Sequence, residues 1–377
     1  MDFNMINIVE IKSKKELKEF VELQWIIYKD DNQWVPPLKK DMLNTLLGKD
    51  NPLFMDGEHA FFMAYNNAKP LGRICVGINE SLNEKKNAED GYITLFESIN
   101  NKEIAFSLFD KAVEWLKERG KKVVKGPVSP TNGDDSRGLL VEGFDGSPVL
   151  MNSYNPKYYV DFFEEYGFVK HLDLYAYYHD ILTATNMERH GRVAEYAMKR
   201  YNFRVDSIDL KNIDKEMEDI KKVMDIAMPE EWEDLTPPTL EEVRAEGARL
   251  KPLADEDLIL IARSGDEPVG FAIALPDYNQ VLKKLNGKLL PTGVFKFLWY
   301  KRKITGFRIF VLFVIPEFRK KAVSGAILYK EYINGLKKGY QYCEGSTIGE
   351  TNTAMRTDIE KTGGILYRTY RLYKKEI

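Results

Sequence analysis

Residues 314–330, VIPEFRKKAVSGAILYK, carry an apolar run (from Val314) through Pro316 into a basic turn, Arg319-Lys320-Lys321. The small residues Ala322, Ser324, Gly325 and Ala326 follow, and an amphipathic run continues to Lys330. A strand, a small-residue turn and a helix N-terminus together hold phosphates on free backbone amides, and the helix dipole favours the anion. Glycine, which lets backbone and ligand approach most closely, is absent at 322 and 324. Alanine and serine are the next smallest residues and helical φ/ψ needs no glycine, so the turn is expected to stay open to a diphosphate. The Ser324 hydroxyl is expected to donate one more hydrogen bond. A solvated basic turn that caps a structural helix is the alternative reading.

Outward from this turn, FRIFVLFVIP predicts a strand and Ser324 to Lys338 a helix, with Ala326, Tyr329, Ile333 and Leu336 on one face. YQYCEGSTI predicts a second strand, Asn352 to Lys361 a short helix stopped by Gly363-Gly364, and LYRTYRLYKK a last strand. Upstream, DLILIARSGDEPVGFAIALPD reads as a hairpin turning at Ser264-Gly265-Asp266, after helices in IDKEMEDIKKVMDIAM and TLEEVRAEGARLKPL. The first half has a similar order: a helix from Lys14 to Asp30, a turn-rich loop DNQWVPPLKKD, and the β-rich runs HAFFMAYNN and PLGRICVGI. Next come a strand GYITLFES, a helix KEIAFSLFDKAVEWLKERG, a strand KKVVKGPVSP, a Gly- and Asp-rich loop TNGDDSRGLLVEGFDGSP, a helix ending at Gly167 and a strand VKHLDLYAYYH. FFMAYNNAKPLGRICVG pairs with ILIARSGDEPVGFAIAL, GYITLFES with FRIFVLFV, and EEYGF with EKTGG. A repeated α/β unit with a mixed sheet is the economical explanation; two unrelated α/β domains are the alternative. The expected division is 1–180, a helical link 181–204, and 205–377.

The 377 residues suffice for two buried cores, and 44% hydrophobic with 30% charged residues is a globular composition. A net charge of −3 argues against the whole chain being an electrostatic nucleic-acid binder. No apolar run approaches about 18 residues, as a membrane-spanning helix requires. The N-terminus is too charged for a secretory signal, so a cytoplasmic location is expected. Cys75 and Cys343 sit in apolar strand-like runs and read as buried free thiols, with a single disulfide as the alternative. His59, His171, His179 and His190 lack metal-ligand spacing, so no metal is expected. Neither a Gly-x-Ser-x-Gly elbow nor a Walker-type lysine loop is present.

Residues 205–377, by element order and signatures, resemble the GNAT acyltransferase family. That family's acyl-CoA loop, Arg/Gln-x-x-Gly-x-Gly/Ala, is matched by Arg319-Lys320-Lys321-Ala322-Val323-Ser324, and the preceding Val-x-Pro-Glu-Phe-Arg also fits. The family's Asn-x-x-Ala helix is matched at Asn352-Thr353-Ala354, with the alanine one place early, and its Glu-Lys-x-Gly-Phe by Glu360-Lys361-Thr362-Gly363-Gly364. The resemblance implies acetyl-CoA or a longer acyl-CoA as co-substrate. Its diphosphate would be held from Arg319 to Ala326, by Lys320, Lys321, Ala322, Ser324 and Gly325 among others, and its pantetheine arm by Asn352. A backbone N–H near Val314 would polarise the thioester.

Proton removal from the amine needs a base. Glu344, in strand YQYCEGSTI, is the first candidate and Glu350 the second; for either, a surface carboxylate is the alternative. The family's helix tyrosine, which reprotonates the thiolate, falls on Ile359 here. Tyr367, Tyr370 or Tyr373 are candidate substitutes, against the alternative of half-buried strand aromatics. The first copy has FESINNKEIAFSL at the matching turn, without a basic cluster, and Glu97 and Glu103 would repel a diphosphate. It is therefore read as a degenerate copy without a cofactor loop.

The connection LPDYNQVLKKLNGKLLPTGVFKFLWYKRK carries Leu282, Leu285, Leu289, Leu290, Val294, Phe295, Phe297, Leu298 and Trp299 and ends in Lys301-Arg302-Lys303. It reads as the lining of an apolar pocket, as a peripheral membrane contact, or as a core helix with a solvated end. The stretches LQWIIYKDDNQWVPPL, GRICVGINESLNE, VEGFD and YNPKYY are similar to a bacterial group of tandem GNAT-like proteins to which bacterial ceramide synthases are related. That resemblance implies transfer to a small-molecule or lipid-like amine. Two alternatives stand beside it: a non-catalytic CoA-binding or regulatory module, and an aminoacyl-tRNA-dependent transferase, against which the acidic balance argues.

Overall fold

The computed structural model describes residues 6–377 other than 50, 56, 132, 134, 185, 186, 231 and 234. Two positions each of the expected Gly- and Asp-rich loop and of the expected link therefore lie outside the described residues. The chain divides into two units. The first runs to Leu174 and also takes Asn279–Arg302 and Arg368–Ile377; the second takes Tyr175–Tyr278 and Lys303–Tyr367.

In the first unit, β1 (Ile6–Ile11) precedes α1 (Lys14–Ile27), which starts in a capping box between Ser13 and Glu16. Helices α2 (Lys39–Leu46) and α3 (Pro52–Met55) follow, the former starting within the last three residues of the stretch expected to be loop. Then come β2 (His59–Asn66), β3 (Lys69–Gly77), α4 (Glu80–Lys86) and β4 (Asp90–Ser98). These four strands are successive antiparallel neighbours. Helix α5 (Lys102–Lys117) buries Ile104, Leu108, Ala112 and Leu116 on one face and crosses over to β5 (Val123–Gly126), parallel to β4. The short β6 (Leu139–Glu142), α6 (Tyr158–Tyr166) and β7 (Val169–Asp180) complete the run. The last residues of the chain return here, Tyr373 to Glu376 pairing antiparallel with Gly126 to Val123.

In the second unit, α7 (Met187–Tyr201) fills the expected link. It is followed by β8 (Arg204–Ser207), α8 (Ile213–Ala227), α9 (Leu240–Leu250), β9 (Ile259–Ser264) and β10 (Glu267–Pro276). Helices α10 (Asn279–Leu285) and α11 (Gly293–Lys301) lie in the segment that joins the first unit. Then come β11 (Gly306–Val314), α12 (Val323–Lys337), β12 (Tyr342–Gly349), α13 (Thr353–Lys361) and β13 (Ile365–Glu376), whose residues from Arg368 on belong to the first unit. Strand order is β12-β11-β10-β9-β8; β8 to β11 are antiparallel neighbours, and β11 and β12 are parallel, with α12 as the crossover. Two antiparallel strands, a helical stretch, a third strand, a crossover helix and a parallel strand repeat the order seen in the first unit, as the two-copy reading expects. Ala194 and Ala197 of α7 share an apolar cluster with Ala326 and Ile327 of α12. A Cβ on Gly191 would meet the Tyr329 hydroxyl at 2.5 Å, so a larger residue there would displace that ring.

Glu331 of α12 is fully buried, and neither carboxylate oxygen has a hydrogen-bond partner. Burial pushes its carboxyl well above the usual range. The folded chain then holds a proton that the unfolded chain releases, so stability falls as pH rises past the ordinary carboxylate value. Glu331→Gln is expected to flatten that slope, and Glu331→Leu to add about 1–3 kcal/mol at neutral pH. Urea midpoints at about pH 5 and about pH 8 check both.

Candidate active site

The ladder between β11 and β12 runs only from Gly306↔Tyr342 to Ile309↔Gly345, although β11 continues to Val314 and β12 to Gly349. The register against β10 slips beside Ile273/Ala274, leaving Phe310 as an extra residue on β11. Beyond it, Ile315 N–H donates to Val269 O at 3.0 Å. Antiparallel alternation then turns the backbone groups of Val314 and Leu312 away from β10, toward the side from which β12 has diverged.

A single 3-10 turn, Pro316–Phe318, leads from β11 toward α12. Phe318 and Val323 are buried and anchor the loop between them. Ala322 does not have the helical backbone expected for it: φ is +58°, the left-handed region. Glycine occupies this region without penalty and alanine does not, so the family's glycine at this place has a conformational reason. Ala322→Gly is expected to stabilise the chain by up to about 1 kcal/mol, read as a rise in thermal midpoint.

No side chain caps α12. Lys321 N–H donates to Phe318 O and Ala326 N–H to Ala322 O, so these two of the expected diphosphate donors are engaged. Between them lie Val323, Ser324 and Gly325, whose N–H groups open the helix and have no acceptor within it. A Cβ on Gly325 would meet nothing within 4 Å. Lys320 is exposed, whereas Lys321 folds back over the Phe318 ring at 3.9 Å. Arg319 donates to Val314 O at 3.2 Å and to Ala227 O at 2.8 Å, tying the loop to β11 and α8. The Ser324 hydroxyl, expected to face a ligand, donates instead to Asp358 of α13 at 3.3 Å. Asn352 caps α13 by accepting from Met355 N–H at 3.2 Å.

Glu344 is fully buried, which removes the surface-carboxylate reading. Its carboxylate accepts from Ser346 Oγ at 2.5 Å and from the Tyr367 hydroxyl, and lies 3.9 Å from buried Arg308. Arg308 donates to Ser346 Oγ at 2.8 Å and to Ser346 O at 3.0 Å. Two sequence candidates, Glu344 and Tyr367, thus meet, while Arg308 and Ser346 were missed. The half-buried Tyr367 ring lies 5.9 Å from Tyr178, edge on. Glu350 stands past the end of β12, its backbone oxygen accepting from Arg356 at 3.0 Å. Tyr370 and Tyr373 are fully buried in the first unit, and Tyr373 donates to Glu164 at 3.1 Å. Ile359 packs toward Gly345, where the two parallel strands part. Both cysteines are free; Cys343 is partly exposed rather than buried.

At the matching place in the first unit the ladder of β4 and β5 ends at Tyr92↔Lys125 while β4 runs on to Ser98. Here Asn101 Oδ1 caps α5 by accepting from Ile104 N–H at 3.1 Å. Glu97 is buried rather than turned to solvent; it accepts from Gln24, Tyr28 and Tyr159 at 2.7, 3.0 and 2.8 Å, and Arg73 is 3.7 Å away. Among the described residues no cluster of metal-ligating side chains occurs, and no helix is long and apolar enough to cross a membrane.

The fold is that of GNAT acetyltransferases, in tandem. A tandem GNAT protein from the clavulanic acid biosynthesis pathway matches it with a TM-score of 0.60 at 11% identity, over 99% of this chain and 98% of that one. By sequence, the chain is similar to a protein named bacterial ceramide synthase from Caulobacter vibrioides, 28% identical over 99% of this chain and 98% of that protein. It is also similar to protein YghO of Escherichia coli, 29% identical over 97% of this chain and 94% of that protein. No family model matches.

Proposed function

We propose that the second unit transfers an acyl group from acyl-CoA to the nitrogen of a lipid-like amine in a reducing cytoplasm, and that the first unit is a copy without a cofactor loop. The observation that carries this reading is the uncapped start of α12 beside the parting of β11 and β12. The likeness to a protein named ceramide synthase supports a long acyl chain and a lipid-like acceptor, since ceramide is an N-acyl lipid.

Bound acyl-CoA would supply a thioester. The N–H groups of Val323, Ser324 and Gly325, with Lys320 beside them, would hold its diphosphate. The amides of Leu312 and Val314 would stabilise charge developing on the thioester oxygen. As the amine nitrogen bonds to the acyl carbon, the C–S bond breaks and thiolate leaves. Tyr367 receives the nitrogen's proton while its own passes to Glu344, and water reprotonates the thiolate. Arg308 and Ser346 hold Glu344 for this role.

Asp358 near the loop and Ile359 in place of a tyrosine favour a second reading, a CoA-binding module without turnover. Incubation with palmitoyl-CoA and a long-chain 2-amino alcohol separates the two. Free CoA thiol and amide formed in equal amounts support transfer; binding without thiol release supports the module and overturns the enzyme.

A further inference from the structure

We propose that α11 and the loop before it form a contact that lies on the surface of an anionic membrane. Phe295, Leu298 and Trp299 stand at i, i+3 and i+4 of this nine-residue helix and share one face. They are 77%, 56% and 62% exposed, and Leu290 in the preceding loop is 68% exposed. Within α11 only Gly293 is buried, so α11 itself is not a core helix. Single exposed apolar residues are ordinary, but a cluster of large ones on a short stretch marks an interaction surface.

The charge around it indicates what it touches. Asp and Glu outnumber Lys and Arg in the whole chain, 58 to 55, yet none occurs between Asp277 and Glu317. Lys283, Lys284, Lys288, Lys296, Lys301 and Arg302 are all exposed there. Protein interfaces are depleted in lysine, whereas helices that lie in a bilayer interface combine aromatic and aliphatic residues with lysine and arginine. Basic residues beside such a helix are drawn to anionic lipid headgroups.

The mounting is firm. Val281 and Leu285 of α10 are buried, and Asn279 Nδ2 donates to Pro148 O at 2.9 Å. Trp25 Nε1 donates to Asn286 Oδ1 at 2.9 Å, and Lys39 N–H to Gly287 O at 3.1 Å. Gly287, at φ +78°, lies where a Cβ would strike the Trp25 ring at 2.4 Å. These ties fix the start of the segment to the first unit and leave the face of α11 outward.

Sedimentation of the intact chain with vesicles of phosphatidylcholine alone, or with about 30% phosphatidylglycerol, tests this. The chain is expected to pellet with the anionic vesicles and to be released by high salt. Joint substitution Phe295→Ser, Leu298→Ser, Trp299→Ser is expected to weaken the partition at least about ten-fold. K296E with R302E, which spares the apolar face, is expected to weaken binding to anionic vesicles alone and serves if the triple variant misfolds. Failure of the native chain to pellet with anionic vesicles overturns the proposal, as does unchanged binding by a folded triple variant. It is equally overturned if the triple variant abolishes self-association of the lipid-free chain while its lipid binding stays intact.

Discussion

Replacing Tyr367 with phenylalanine is expected to lower the rate of amide formation by about 10²–10⁴-fold, the usual contribution of a positioned acid–base group. Acyl-CoA affinity is expected to stay unchanged, because Tyr367 stands with Glu344 and Tyr178 rather than in the α12 loop. A merely structural hydroxyl would show a different pattern: a lower unfolding midpoint with the rate per folded molecule preserved. Glu344→Ala separates positioning from stability. It leaves Arg308 buried without its carboxylate, and losing one partner of a buried pair costs about 3–5 kcal/mol. Glu344→Gln keeps the volume and the contact to Ser346, so its rate loss reports the missing proton acceptor. Progress curves of thiol release beside thermal melts of all three variants check this.

Gly325→Glu is expected to move stability and binding in opposite directions. Position 325 is the third residue of α12, and an added Cβ there has open space. Leaving glycine in a helix gains about 1 kcal/mol, and a carboxylate in the first turn adds about 0.3–1 kcal/mol against the dipole. The same carboxylate sits where a diphosphate is to be held and repels it, so affinity for acyl-CoA is expected to fall at least about ten-fold. A more stable chain that has lost its ligand cannot be explained by misfolding. Unchanged affinity would mean that the helix N-terminus is not the phosphate site.

The two-copy arrangement was legible because its signals are local. The 3.6 period of α5 and the hairpin turn at Ser264-Gly265-Asp266 need no long-range information. β6 and β8 were missed for want of length and alternation: LLVE lies inside a Gly-rich loop, and RVDS is short and polar. The packing of residues 279–302 and 368–377 with the first unit depends on partners far away in sequence, which no periodicity encodes. At the site, the basic turn and Glu344 were readable as residue types. The left-handed backbone of Ala322 was not, since alanine signals a helix rather than a turn. Arg308 carried a usable signal, a lone arginine in the apolar run FRIFVLFV, which in a central strand must find a buried partner. Asp358 gave none, because a carboxylate on a short amphipathic helix ordinarily faces water.

Calorimetric titration of the intact chain with acetyl-CoA and palmitoyl-CoA tests the central claim most directly, namely that the open start of α12 grips the diphosphate of an acyl-CoA. Saturable binding at one site per chain is expected for at least one of the two, weakened by salt because the grip is ionic. An absence of heat with both, or equal binding by the Gly325→Glu chain, would contradict it.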